Sequence, residues 1–210
     1  MFKPIRWHTF PRDFLVIQSG FFLFGFAIAM MIRANIGTSP WAVWEVAMAK
    51  ILHITPGTMT VIDGFIVLSL ALAMREQVGW GTLANILSIG PWIDFALSIL
   101  PSVENNLPLQ VTMLLIAIGM MGLASAIYIG VDAGAGPRDT LMLGLHRRFG
   151  WSVRVARGSI EVIVVTLGWL LGGPVGVGTL VFALLIGSSV QGGFKLLRVQ
   201  TQKPVEAGTD

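Results

Sequence analysis

An all-α integral membrane fold, built from two similar halves, is what this sequence predicts. Three observations predict it. The 210 residues are 54% hydrophobic and only 12% charged, with a mean hydropathy of +0.78, whereas soluble domains carry about 25% charged residues. Apolar runs near the ~20 residues that a helix needs to cross a bilayer recur along the chain. The chain also repeats itself at a fixed offset. Gly37-Thr38-Ser39-Pro40 matches Gly134-Ala135-Gly136-Pro137, Gly79-Trp80-Gly81-Thr82-Leu83 matches Gly176-Val177-Gly178-Thr179-Leu180, and Gly25 matches Gly122, each pair 97 residues apart. Duplicated halves are a common construction of membrane transporters, with the working site between them.

In chain order, residues 1–13 carry Lys3, Arg6 and Arg12 and form a basic segment ahead of a first span at 14–32. Such a start imitates a signal peptide. The apolar run is too long for an h-region, however, and no small-x-small cleavage site follows it, so it reads as an uncleaved span. Further spans are expected at 57–74, 81–100, 109–130, 154–171 and 177–196. Two segments between them, P-W-A-V-W-E-V-A-M-A-K-I-L at 40–52 and P-R-D-T-L-M-L-G-L-H-R-R-F at 137–149, are too short and too polar to cross comfortably. They read as short helices, either interfacial or re-entrant. The first membrane repeat is then 14–103 and the second 104–198. The polar residues 199–210 are expected to be disordered and cytoplasmic.

The basic residues set the orientation. With the N-terminus in the cytoplasm, inner segments hold twelve of the fourteen Lys and Arg, and outer segments hold only Arg33 and Lys50. That is a positive-inside pattern with both termini cytoplasmic. Each half then has three spans. An odd number makes the second half enter from the opposite side, an inverted repeat about an axis in the membrane plane. A parallel duplication needs four spans per half and spoils the charge alternation.

The two glycine–proline motifs introduce the short helices. Proline suits the first helical position, and Ser39 and Gly136 stand where an N-cap belongs. A helix starting so sharply leaves N–H groups able to hold an anion or a carboxylate. A plain helix start after a turn accounts for the same residues, but breaks at matching positions in both halves are a pointer to a transporter site. Gly79, Gly81, Gly176 and Gly178 permit close backbone approach, and Thr82 and Thr179 can satisfy freed backbone groups. No lysine follows and no βαβ context exists, so neither is a nucleotide loop. Close helix packing is favoured over ligand contact.

Ionisable residues inside spans carry functional weight because lipid penalises them. Asp63 and Glu161 are 98 residues apart, equivalent within a one-residue slip, and Asp94 is 97 residues from Gln191. These four are the candidate substrate or proton site. Asp63 and Asp94 fall at one membrane level; if they meet, they share a proton. Glu161 also shares a helix face with Arg157 and Arg154, as an internal ion pair would. Asn35 and Asp132 end the first and fourth spans, 97 residues apart. With Arg33, Arg138 and Asp139 they are candidates for cavity mouths or interfacial anchors.

Enzyme chemistry finds no support. The chain has no cysteine, His8, His53 and His146 lie outside the expected spans, and no H-E-x-x-H or Ser/His pairing occurs. No metal or cofactor is expected. The net charge of +3 resides in flanks of apolar segments and does not indicate nucleic acid. The expected partners are the lipid bilayer, a small solute, and a protein partner or a second copy.

The repeated glycine motifs, G-A-G-P-R-D-T-L-M followed by R-R-F-G, and V-R…G-S-I-E together resemble the YczE/YyaS-like bacterial integral membrane proteins, and more loosely the YitT group. The resemblance covers roughly residues 14–197. It implies a polytopic helical fold in the bacterial cell (inner) membrane and supplies no substrate. Trp41 and Ala42 stand where the second repeat has Arg138 and Asp139, which speaks against a symmetric charged site at the short helices.

The preferred functional reading is a small-solute transporter of inverted-repeat architecture, with an acid such as Asp63 coupling it to protons. The alternative is a non-transporting accessory protein that docks a partner on Arg147, Arg148, Arg154 and Arg157. A channel finds no selectivity-filter pattern. Helix ends suggest an anionic solute and the acids a cation or a proton; both remain open at this level.

Overall fold

The computed structural model describes residues 4–199, so Lys3, Lys203 and the tail from 200 onward lie outside the described residues. Eight helices and no strand make up the described residues: α1 (Phe10–Ala34), α2 (Pro40–Leu52), α3 (Pro56–Ala73), α4 (Trp80–Ile99), α5 (Leu107–Gly130), α6 (Pro137–Phe149), α7 (Val153–Leu170) and α8 (Val177–Leu196). Five of them, α1, α3, α4, α5 and α8, are long and apolar enough to cross a membrane. α7 equals α3 in length, at 18 residues, but it carries Arg154, Arg157 and Glu161. α2 and α6, with 13 residues each, are about 20 Å long at 1.5 Å per residue, short of the ~30 Å hydrocarbon core.

Local chemistry places the boundaries. Thr55 caps α3 by accepting the N–H of Thr58 at 3.1 Å, and Ser152 caps α7 by accepting that of Val155 at 3.2 Å. Proline opens α2, α3 and α6, where its missing N–H is no loss. Asn35 and Asp132 adopt φ of 53° and 55°. Asn and Asp tolerate this left-handed conformation, which closes a helix. They are exposed and terminate their helices.

The 97-residue offset extends through the backbone. Shifted by that offset, α2, α3 and α4 start and end in register with α6, α7 and α8, and the left-handed residues recur as Gly37/Gly134, His53/Gly150 and Arg75/Gly172. α1 and α5 pack antiparallel: Arg6 reaches the carbonyl of Val131, Phe21 meets Tyr128, and Val103 donates to the Arg33 carbonyl. Ile17, Phe21, Met31, Leu114 and Met121 form the core between them. α1 runs parallel to α4, with Phe10 on Trp80 and Gln18 donating to Ser88 at 2.8 Å. Gly25 lets α1 lie against Trp92 and Ile93; its counterpart Gly122 lets α5 lie against Ser189 of α8.

The repeated motifs dock on each other across the halves. The N–H of Gly81 donates to Ala133 O at 3.0 Å, and that of Gly178 to Ile36 O at 2.7 Å. Gly37 sits on Gly176 and Thr179, and Gly134 on Gly79 and Thr82, so close that a Cβ on either would collide. The expected close packing is therefore between α4 and the segment before α6, and between α8 and the segment before α2. Thr82 adds a bond to Ala135 O at 2.6 Å.

One seam breaks the correspondence. α3 lies tight on α4, because Gly57 and Gly90 face each other with no room for a Cβ. The matching positions are Arg154 and Gly187. Gly187 meets nothing within 4 Å, and α7 and α8 stand apart.

Candidate functional site

The N-terminal turns of both short helices converge on one cavity of about 180 Å³. α2 contributes Ser39, Pro40 and Trp41; α6 contributes Gly136, Pro137, Arg138 and Asp139; α7 adds Arg157 and Glu161. The remaining wall comes from α1, α3, α4, α5 and α8, with Thr60, Asn85, Ser125 and Tyr128 as its uncharged polar groups. α7 and α8 both line the cavity, although they lack the tight seam that joins α3 to α4.

Charge is organised in pairs. Arg138 reaches from the second repeat to Glu45 in the first, forming a hydrogen-bonded ion pair. Its guanidinium also lies over the Trp41 ring, 4.4 Å from the centroid, a favourable cation–π geometry. The Glu45 side chain is only 2% exposed, and that of Arg138 27%. Burying a carboxylate this deeply is costly without such a partner. Arg157 Nε donates to Glu161 Oε1 at 2.8 Å, four residues apart on α7, as the shared face predicts. The Tyr128 hydroxyl donates to Asp139 Oδ2 at 3.2 Å.

Asp63 lies behind Glu45. It is buried, accepts the indole N–H of Trp44 at 3.3 Å through Oδ1, and has no hydrogen-bond partner on Oδ2. It is close enough to feel the charges of Glu45 and Arg138. Asp94 goes elsewhere. It accepts the hydroxyl of Thr55 at 2.5 Å and the N–H of Gly57 at 2.8 Å, holding the start of α3. No hydrogen bond joins Asp63 to Asp94: the orphan N–H groups at the start of α3 engage Asp94, and Trp44 engages Asp63. Gln191 is exposed and outside the cavity lining. Asn35 lies at a separate surface depression with Glu104 and Gln110.

Glu45 is the site residue that the sequence reading passed over. Its signal was present: a single acid in an otherwise apolar helical segment, which lipid and protein interior alike penalise. The repeat offset hides it, since Glu45 and Arg138 are 93 residues apart and Met142 occupies the position equivalent to Glu45. Glu76, also buried, pairs with Arg147 at 2.9 Å, so part of the basic patch is engaged within the chain.

A family model described as "Family of unknown function (DUF6198)" matches residues 11–193. The chain is 32% identical to an uncharacterized protein of Haemophilus influenzae, over 88% of this chain and 84% of that one. It is 29% identical to the uncharacterized membrane protein YczE of Bacillus subtilis, over 80% of this chain and 79% of the relative. Identity to the uncharacterized protein YyaS of the same bacterium is 24%, over 80% and 85%. No solved structure matches the chain. The chain belongs to the DUF6198 family and is a YczE/YyaS-like, multi-helical membrane protein.

Proposed function

We propose that this member of the DUF6198 family is a small-solute membrane transporter with an inverted-repeat architecture. One observation carries the reading: the first turns of two equivalent half-length helices, one from each repeat, meet at a single charged cavity. Helix breaks at matching positions, with their N-termini on a midplane site, belong to transporters built from repeats. The antiparallel packing of α1 on α5 supports inversion, since a two-fold axis relating antiparallel helices lies across them. α7 would serve as the sixth span, with Arg157 and Glu161 turned to the cavity rather than to lipid and Arg154 in its first turn. The positive-inside count supports a topology with both termini on the cytoplasmic side.

The asymmetric seam fits the same reading. A transporter at rest is closed on one side of its site and open on the other. On this reading the tightly packed α3–α4 would be the closed side, and α7–α8, which lacks that seam, the side that opens.

The test is solute counterflow in proteoliposomes against a broad library, with Asp63→Asn beside the wild type. Saturable exchange of one chemical class, lost in Asp63→Asn, is expected if coupling runs through this acid. Wild-type activity in the variant would remove Asp63 from the mechanism, and no exchange of any solute would reject transport. The accessory-protein alternative would then be tested by partner co-purification with Arg147 and Arg148 neutralised. The Glu76–Arg147 pair leaves that surface less free than its sequence implies.

A further inference from the structure

We propose that the cavity takes a small organic monocarboxylate at Arg138, and that each carboxylate bound brings a proton onto the Glu45–Asp63 pair that Arg138 leaves behind. The inference rests on the reading of this cavity as the solute site and names what that site accepts.

The first step is competition. Arg138 is the cavity's cross-repeat cation, and its present partner, Glu45, is itself a carboxylate. A guanidinium holds a carboxylate through a planar fork of donors, so a solute carboxylate can take the place of Glu45. Trp41 beneath the guanidinium holds the fork in the cavity wall. Ser39 and the first turns of α2 and α6 line the same space and favour negative charge there. The volume, about 180 Å³, suits a small molecule, since an engineered cavity of about 150 Å³ holds benzene.

The second step follows from burial. Glu45 is nine-tenths or more buried, and Arg138 is the cation bonded to it. Around Glu45, α3 presents Asp63 and Thr60, α2 itself presents Trp41 and Trp44, and α7 presents Gly168 against Trp44. Of the charged residues of α7, Arg157 and Glu161 are bonded to each other at the cavity, and Arg154 is exposed in the first turn, at the opposite end of α7 from Gly168. Lys50, five residues beyond Glu45, is exposed at the far end of α2. No second cation therefore stands ready among the described residues around Glu45. When Arg138 turns to the solute, two buried carboxylates lose one positive charge, and leaving them uncompensated is prohibitively costly. A proton from water in the cavity restores the charge by binding the Glu45 carboxylate, or the partnerless Oδ2 of Asp63 beside it. Arg138 keeps its own proton throughout. Anion and proton thus enter together, reconciling a cavity that carries both basic helix ends and buried acids.

Arg157 is a poorer candidate for the same exchange. Its partner Glu161 is on its own helix, and the two side chains are 52% and 26% exposed, so separating them demands no proton.

The experiment uses the purified full chain in detergent, in weak buffer with a pH-indicator dye. Benzoate and L-lactate are the probes and benzamide the uncharged control; binding is read by thermal shift and proton uptake by the dye. Uptake of about one proton per bound carboxylate is expected, with affinity tightening by up to about tenfold per unit fall in pH. Glu45→Gln should bind the carboxylates without proton uptake and with a flattened pH dependence. Carboxylate binding to the wild type with no proton uptake overturns the coupling, whether or not the variant folds. Benzamide binding as tightly as benzoate, or no binding by either carboxylate, overturns the substrate class. Counterflow of uncharged or cationic solutes by the same preparation would leave the transporter reading standing while this inference fell.

Discussion

Arg138 and Glu45 show how a single pair can join two halves of a chain. Glu45→Ala or Arg138→Ala strands a charge in a buried setting, and each is expected to cost about 3–5 kcal/mol. The Glu45→Met/Arg138→Met double variant should be more stable than either single variant, because hydrophobic replacement of both charges removes the desolvation cost. Thermal unfolding in one detergent checks the order. A double variant less stable than both singles would mean that the pair itself is strongly favourable. At this scale the sequence pointed to residue types rather than partners. Asp63, Glu161, Arg138 and Asp139 were legible as ionisable groups among apolar ones. Asp94 looked the same, yet it holds the first turn of α3, and Glu45 escaped notice because its partner is not its repeat mate.

Between elements, glycine decides where helices touch. Gly90→Ala places a methyl on the backbone of Gly57 and against Val61, and should destabilise the protein by about 1–3 kcal/mol, as overpacking does. Its counterpart Gly187→Ala meets nothing within 4 Å and should be neutral or gain up to about 1 kcal/mol from helix propensity. Paired melting curves distinguish the two, and equal effects would mean that α7 and α8 close as tightly as α3 and α4. Helix extents were largely readable, since hydropathy, proline and capping residues act locally; the short helices fall at 40–52 and 137–149 as expected. The difference between the seams was not, although Arg154 stands where Gly57 does. A residue's bulk matters only once its neighbour is known.

Across the whole molecule, each half is completed by the other. The loop before α2 needs the start of α8, the loop before α6 needs the start of α4, and α1 buries its core face on α5. Breaking the chain between Glu104 and Asn105 should therefore yield two fragments that co-purify when co-expressed, neither accumulating alone. A stable, monomeric first fragment would show that the halves are independent units.

The sequence by itself determined the membrane class, the helices, their ends and the duplication, because each depends on composition or on residues within a turn of one another. Tertiary structure alone decided that the repeated glycine motifs grip each other across the halves, that Asp94 caps while Asp63 remains near the cavity, and that Arg138 answers Glu45. These depend on long-range approach, where burial turns an ordinary acid and base into an obligate pair, and no local pattern encodes which acid that will be.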